Sequence, residues 1–99
     1  MTELEIEKII FEALESLNEE FDESRRIEIN NNTKLFGINA ALDSLSLVSV
    51  IVDVEMNVST VLGRGIALTD DRAMSADPSP FTDVKALKNY ILEITTENE

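Results

Sequence analysis

The chain has 99 residues, of which 43% are hydrophobic, and it contains no cysteine and no histidine. This composition suits one small domain spanning residues 1–99, and it excludes disulfides, thiolate nucleophiles, the common zinc sites and any Ser-His or Cys-His couple. Twenty acidic residues against eight basic ones leave a formal charge of −12, which repels nucleic acid and anionic lipid and favours basic protein surfaces as partners.

The N-terminal segment indicates the expected compartment. It is acidic, with Glu3 and Glu5 where a secretory signal needs positive charge. No apolar stretch is expected to approach the roughly 20 residues needed to span a bilayer. We therefore expect a cytoplasmic protein without a membrane span, in which the acidity could equally serve only to maintain solubility.

Residues 2–17 have the pattern of an amphipathic helix. Apolar residues recur at three- and four-residue steps, with glutamates between them. The apolar positions are Ile6, Ile9, Ile10, Ala13, Leu14 and Leu17. Thr2 and Glu5 have the spacing of a capping box, which would satisfy two otherwise unpaired amides at the start of this helix.

Residues 18–43 show no sustained period and include the turn-like cluster Asn30-Asn31-Asn32-Thr33. They predict a long loop that apolar side chains hold to the core. These side chains are Phe21, Ile27, Ile29, Leu35 and Phe36. Because loops of this length in small domains are usually functional or wrongly assigned, a short strand at residues 26–29 is the alternative.

Residues 44–62 carry two competing patterns. Between residues 50 and 58 apolar and mostly polar positions alternate, which is typical of a strand. A stripe at four- and three-residue steps predicts a helix instead, and its members are Leu47, Ile51, Val54, Val58 and Leu62. Length favours the helix, because nineteen residues exceed a typical strand. Asp43 suits the helix start and Gly63 the helix stop.

Two further helices follow Gly63. Thr69-Asp70-Asp71 offers a cap with acids in the first turn, which predicts a short helix at residues 70–75 that ends before Pro78-Ser79-Pro80. Thr82 is expected to cap a last helix, whose inward side chains are Val84, Leu87, Ile91 and Ile94. Residues 96–99 are expected to fray. The predicted fold is therefore all-α, a small four-helix bundle of three longer helices and one short helix, with a long first loop.

The tetrapeptide Leu42-Asp43-Ser44-Leu45 lies at the predicted start of the long helix. Ser44 at the first helical position would be exposed and close to unpaired amides and the positive end of the helix dipole, where an attached anion is stabilised. A serine without a base beside it is a weak nucleophile at neutral pH, so another protein must activate it. We expect no catalytic residue in the chain itself.

With Leu35-Phe36-Gly37 upstream and Asp53 in the helix downstream, this motif resembles the attachment site of acyl carrier proteins. The resemblance covers nearly the whole chain in the order of its helices. It implies that Ser44 bears 4'-phosphopantetheine, which carries an acyl group as a thioester. It also implies that Asp43 assists a phosphopantetheinyl transferase in handling its magnesium and coenzyme A. The other expected partners are acyl-loading and acyl-transferring enzymes with basic docking surfaces. The chain itself is expected to be a monomer.

The resemblance also implies that a second face of the long helix docks partner enzymes. If residues 44–62 are helical, this face points away from the core stripe. Its residues are Leu45, Ser49, Val52, Asp53 and Met56, with Leu45 as the anchor beside the prosthetic group. The alternative is that these residues complete a core buried on two sides.

The sequence departs from carriers of fatty-acid synthesis on that face. Ser46 and Ser49 stand where those carriers place acids, which favours a dedicated pathway with its own cognate enzymes. Residues 68–75 followed by Ser79-Pro80-Phe81 resemble specialised carriers that serve secondary-metabolite or surface-polysaccharide pathways. A long acyl chain would enter between the second and last helices, lined by Ile51, Val54, Leu87 and Ile91, whereas a short polar one would stay outside.

Two alternatives remain open. The first is an unmodified acidic interaction module, in which Ser44 is an ordinary helix start. The second is a peptidyl or aminoacyl carrier, which shares the mechanism and differs in its load. A calcium site at Asp70, Asp71 and Asp77 is not expected, because the twelve-residue loop with a central glycine and a terminal glutamate is missing.

Overall fold

The first helix forms the centre of the molecule and packs against two others. The computed structural model describes residues 2–37, 40–76 and 79–96. The α-helices are α1 (Glu3–Glu19), α2 (Ser44–Leu62), α3 (Asp71–Ser75) and α4 (Val84–Thr96). Helix α1 contacts both α2 and α4, and these described ranges contain no β-strand. The predicted all-α fold with three longer helices and one short helix is confirmed.

Helix α1 begins at the predicted capping box. The amide of Glu5 donates to Thr2 Oγ1 at 3.2 Å, and the amide of Thr2 donates to Glu5 Oε1 at 2.9 Å. The predicted apolar stripe is buried in full, at Ile6, Ile9, Ile10, Ala13, Leu14 and Leu17. The helix ends at Glu19, two residues beyond the predicted end.

Helix α2 spans the predicted residues, and Gly63 ends it in the left-handed conformation with φ 81°. Its buried residues are Val50, Ile51, Val54 and Val58. Three of these valines are spaced by four residues, so every second position of the alternating pattern falls on one helical face. The strand alternative is therefore wrong. The alternating pattern contains a four-residue step, from Val50 to Val54 to Val58, and this step is the one that fits a helix.

Helix α2 also has the length and composition to cross a membrane. The expectation that no apolar stretch approaches this length was therefore wrong. By itself the observation is weak, because core helices of soluble proteins have the same composition. In this fold, α2 lies against α1 through its buried residues.

The connection between α1 and α2 is a loop with one turn of 3-10 helix at Glu23–Arg25, and no strand forms at residues 26–29. The Asn18 side chain fastens it to the end of α1, because its Oδ1 accepts from the amide of Ile27 at 2.9 Å and its Nδ2 donates to the carbonyl of Ile27 at 3.0 Å. Leu35 is fully buried, as predicted. Phe36 was expected to hold the loop to the core, but its side chain is 58% exposed.

Backbone hydrogen bonds join this loop to the start of α4. The amide of Leu35 donates to the carbonyl of Thr82 at 3.0 Å, and the amide of Val84 donates to the carbonyl of Thr33 at 3.1 Å. These bonds fix the segment that leads to Ser44 against the segment that leads into α4. The positions of both segments are therefore coupled.

Lys88 of α4 adds a buried charge to this junction. The side chain is almost fully buried, and its Nζ donates to Asn31 Oδ1 at 3.0 Å. The same Nζ lies 3.1 Å from Glu3 Oε1 and 3.7 Å from Glu7 Oε1. Lys88 therefore links α4, α1 and the long loop, a role that sequence reasoning missed.

The two remaining helices begin at aspartates. Asp70 caps α3, accepting from an amide three residues later at 3.0 Å, so the helix begins one residue after the predicted start and Thr69 is not its cap. Asp83 rather than Thr82 caps α4, because Asp83 Oδ1 accepts from the amide of Ala86 at 2.8 Å. The hydroxyl of Thr82 instead donates to the carbonyl of Ser79 at 3.0 Å. The predicted cap was wrong by one residue.

Some predictions concern residues outside the described ranges. Thr96 is the last residue of α4, and residues 97–99 of the predicted frayed tail lie outside those ranges. So do Asp77 and Pro78.

Leu14→Ala tests the importance of the α1 core. Its side chain is fully buried, so truncation should leave a cavity and lower the free energy of unfolding by about 2–5 kcal/mol. Leu4→Ala, on the exposed side of the same helix, should change it by less than about 0.5 kcal/mol. Urea unfolding monitored by circular dichroism measures both, and equal effects would contradict the packing described.

Candidate functional site

Ser44 is the first residue of α2, and its side chain is exposed. Asp43 precedes it in an extended conformation and caps the helix, with Oδ1 accepting from the amide of Ser46 at 2.8 Å. The carbonyl of Asp43 accepts from the amide of Leu47 at 2.9 Å. The amides of Ser44 and Leu45, in the first turn of α2, have no acceptor within the helix.

The bond from the Ser46 amide also affects the titration of Asp43. This amide holds the pKa of the Asp43 carboxyl below its usual value, and the charge of Arg25 acts weakly in the same direction. A carboxylate that accepts a backbone amide is stabilised in its charged form. Asp43 therefore stays ionised to lower pH than an ordinary aspartate.

Leu42 and Leu45 point in opposite directions from this helix start. Leu42 is buried in the core, whereas Leu45 is 84% exposed. The backbone before Leu42 is held in place, because the amide of Ala41 donates to the carbonyl of Lys34 at 2.9 Å. The first residue of the tetrapeptide is therefore anchored in the core, whereas its last residue is exposed to solvent.

The predicted docking face lies on the surface of α2. Its five residues, Leu45, Ser49, Val52, Asp53 and Met56, are all exposed. The alternative of a core buried on two sides is therefore wrong. Ser49 and Asp53 also line a small groove between α1 and α2, together with Ser16 and Glu20. This groove places Glu20, the residue that follows α1, beside Asp53, the only exposed acid of α2.

Glu55, the other charged residue of α2, has a structural role. Its Oε2 accepts from the amide of Leu68 at 2.7 Å and fastens the segment between α2 and α3. Leu68 itself is fully buried. Ser59 supports the same segment, because its Oγ accepts from the amide of Ile66 at 3.0 Å.

An apolar cleft of about 360 Å³ opens beside Ser44. Its lining residues are Phe36, Ser44, Leu47, Val48, Ile51, Thr69, Ser79 and Phe81. Sequence reasoning did not assign Phe36, Val48, Thr69 or Ser79 to the site. The available signal was the Leu-Phe-Gly motif, in which Gly37 follows the exposed Phe36 and has a φ of 103°, a conformation that favours glycine.

The cleft does not coincide with the predicted acyl channel. Of the four residues expected to line that channel, Val54, Leu87 and Ile91 are fully buried in the core. Ile51 is also buried and contributes to the floor of the cleft. The open space near Ser44 therefore lies at the surface, between the start of α2 and residues 79–81.

A larger cleft of about 600 Å³ lies against α4 and does not include Ser44. Its walls carry charges of both signs, and two of them pair, with Arg72 Nη2 lying 3.8 Å from Glu93 Oε1. The smaller cleft is the better candidate site, because it adjoins the exposed side chain of Ser44.

The comparisons with known proteins found no relative of this chain. No family model, curated protein or solved structure matches the chain. The residues and the geometry around Ser44 are therefore the basis for inferring a function.

The lowered pKa of Asp43 predicts a pH dependence of stability. The charged carboxylate stabilises the folded chain above the unfolded-state pKa of about 3.9, and this contribution disappears as the pH falls through the lower folded-state value. Asp43→Asn keeps a good capping residue but does not titrate, so the difference in stability between wild type and variant should shrink from pH 6 towards pH 3. Urea unfolding across this range measures it, and a constant difference would contradict the Asp43–Ser46 bond.

Proposed function

We propose that the chain is an acyl carrier protein that bears 4'-phosphopantetheine on Ser44 and delivers a thioester-bound acyl group to the enzymes of a dedicated pathway. The observation that supports this most directly is an exposed hydroxyl at the first position of a nineteen-residue helix. The buried Leu42 and the cap of Asp43 hold that position rigidly. A carrier needs both properties, because the attachment point must be reachable and must not move with the arm.

The surroundings of Ser44 suit a phosphodiester. The amides of Ser44 and Leu45 and the positive end of the α2 dipole favour an anion at this point. The first turn of α2 contains no acidic residue, which matters in a chain of charge −12. Asp43 lies next to the site, but its carboxylate is engaged with the amide of Ser46.

Loading joins Ser44 Oγ to the phosphorus of coenzyme A while the pyrophosphate bond breaks and adenosine bisphosphate leaves. The hydroxyl proton passes to a base of the transferase, because the chain has no histidine and the lowered pKa of Asp43 makes its carboxylate a weak base. Once attached, the group supplies the thiol that forms the acyl thioester. The chain has no cysteine that could compete for the acyl group.

The exposed face of α2 supports docking to partner enzymes. Leu45, Val52 and Met56 form an uncharged strip along the helix that leads away from Ser44. Asp53 and Glu20 add negative charge along one side. A partner with an apolar centre and basic residues at the edge complements this arrangement.

An unmodified interaction module is the second candidate, because the same exposed apolar face would also suit stable protein binding. It does not require a free hydroxyl beside a cleft. A peptidyl or aminoacyl carrier would share the modification and differ in the load. Mass analysis distinguishes the unmodified interaction module from a carrier, because only a carrier gains the prosthetic group.

Incubation with coenzyme A, magnesium and a promiscuous phosphopantetheinyl transferase should add one phosphopantetheine to each chain. Ser44→Ala should abolish the addition, because the accepting oxygen is absent. Ser24→Ala removes an exposed serine outside the predicted docking face and should be modified like the wild type. Intact-protein mass spectrometry measures the product. An unchanged wild-type mass, with a known carrier modified in parallel, would eliminate the proposed function.

Leu45→Ala tests the docking anchor. The side chain is exposed, so the thermal unfolding midpoint should be nearly unchanged. Loss of a leucine that becomes buried in the complex should lower kcat/KM of the transferase roughly fivefold or more. Leu4→Ala, an exposed leucine of α1, is the matched control and should leave kcat/KM unchanged. Equal rates for the two variants would remove Leu45 from the docking surface.

A further inference from the structure

Lys88 occupies a position of α4 at which an apolar side chain is expected. The buried face of this helix includes Val84, Leu87 and Ile91, and Lys88 lies among them at the three- and four-residue steps of that face. Taking an ammonium group out of water costs free energy, and a buried ion pair stabilises a protein little compared with apolar residues of the same volume. Stability alone therefore does not explain a lysine at this position.

The partners of the Lys88 ammonium group come from two different segments. Nζ lies 3.1 Å from Glu3 Oε1 and 3.7 Å from Glu7 Oε1, both on α1. It also donates to Asn31 Oδ1 at 3.0 Å, and Asn31 belongs to the long loop, 57 residues away in sequence. The glutamates neutralise the buried charge. The third partner ties the middle of the loop to the core.

Asn31 lies in a tight turn whose residues are bonded to one another. The amide of Asn32 donates to Asn30 Oδ1 at 2.8 Å, and the amide of Asn30 donates to Thr33 Oγ1 at 2.9 Å. The carbonyl of Asn31 accepts from the amide of Lys85 at 3.1 Å. The asparagine-rich cluster is therefore one bonded unit that is fastened to the start of α4.

The chain from this turn leads to the serine at the start of α2. Directly after the turn, the carbonyl of Lys34 accepts from the amide of Ala41 at 2.9 Å. Ala41 is followed by the buried Leu42 and by Asp43, which caps α2 in front of Ser44. A contiguous series of contacts thus connects the buried ammonium group with the residue that precedes Ser44.

We propose that Lys88 is a positioning residue for the loading of Ser44 and that it acts through Asn31. This inference rests on the proposed function, since it concerns the transfer of phosphopantetheine to that serine. By holding the turn at residues 30–33 against α4, Lys88 fixes the segment that supports the start of α2. The hydroxyl of Ser44 is thereby presented to the transferase in one orientation.

A positioning role predicts a specific kinetic signature. The proposed docking face of α2 includes neither Lys88 nor Asn31, so a loss of their contact should leave the KM of the transferase for this chain unchanged. Misplacement of the accepting hydroxyl lowers the rate of transfer within the bound complex, so kcat should fall. Loss of a docking residue should instead raise KM.

Asn31→Ala and Asn31→Asp form a matched pair. Alanine removes the acceptor of Lys88, whereas aspartate keeps an oxygen at the same place. Both variants should fold, because Glu3 and Glu7 still pair with the ammonium group. With the full chain, coenzyme A, magnesium and a transferase, Asn31→Ala should lower kcat roughly three- to tenfold at unchanged KM. Asn31→Asp should stay within about twofold of the wild type, since the contact is kept.

Lys88→Met keeps the length of the side chain and removes its charge. It should lower kcat at least as much as Asn31→Ala, and combining the two substitutions should lower kcat no further, because both remove one contact. Additive effects would contradict the proposal. Lys85→Met changes an exposed lysine of the same helix and should leave kcat unchanged. The Asn31 pair decides the question even if Lys88→Met does not fold.

Hydrogen exchange of the unloaded chain separates positioning from general loss of stability. In Asn31→Ala, the amides of Ala41 and Val84, which bond to the loop, should exchange at least about tenfold faster than in the wild type. The amide of Leu14, in the core helix α1, should change by less than about threefold. Equal acceleration at all three amides would indicate a merely structural role and would overturn the proposal.

The kinetic outcomes are distinguishable from failure of the proposed function. If the transferase does not load wild-type Ser44, both proposals fail together. If it loads the wild type and Asn31→Ala with equal kcat, the positioning role alone is wrong. A raised KM with unchanged kcat would assign Asn31 to a docking surface and would also overturn the positioning role.

Discussion

Burial of the α1 stripe against α2 and α4 is the constraint on which the rest of the structure depends. A chain of charge −12 repels itself, so its compact state needs a continuous apolar core. Ile10, Leu14 and Val54 are fully buried members of that core. Because one side of α2 is fixed in this way, the opposite side is presented to solvent along its whole length.

The junction between the long loop and α4 determines what surrounds Ser44. The bond from Leu35 to Thr82 brings the residue before Phe36 and the residue after Phe81 together. Both aromatic side chains thereby line the same cleft beside the start of α2. Lys88 strengthens the junction by bonding to the loop and pairing with α1. The long loop is therefore part of the site and not merely a connection.

The candidate site combines a firmly held helix start with the exposed side chain of Ser44. The start of α2 is held from inside by Leu42 and capped by Asp43, while Ser44 and Leu45 face outward. A carrier of a long flexible arm requires this division, because movement should occur in the arm and not in its attachment. An uncharged cleft lies next to this helix start, which itself favours an anion.

The sequence alone determined the helices, the caps of α1 and α2 and much of the core stripe. These features depend on interactions between residues three or four positions apart, such as Thr2 with Glu5, and such spacings can be counted along the chain. The exposure of Phe36 and the cleft were decided only by tertiary structure, as was the burial of Lys88. Each depends on segments distant in sequence meeting in space, as when the loop before α2 hydrogen-bonds to the start of α4. Periodicity describes the faces of one helix, but it carries no information on which distant segment will cover them.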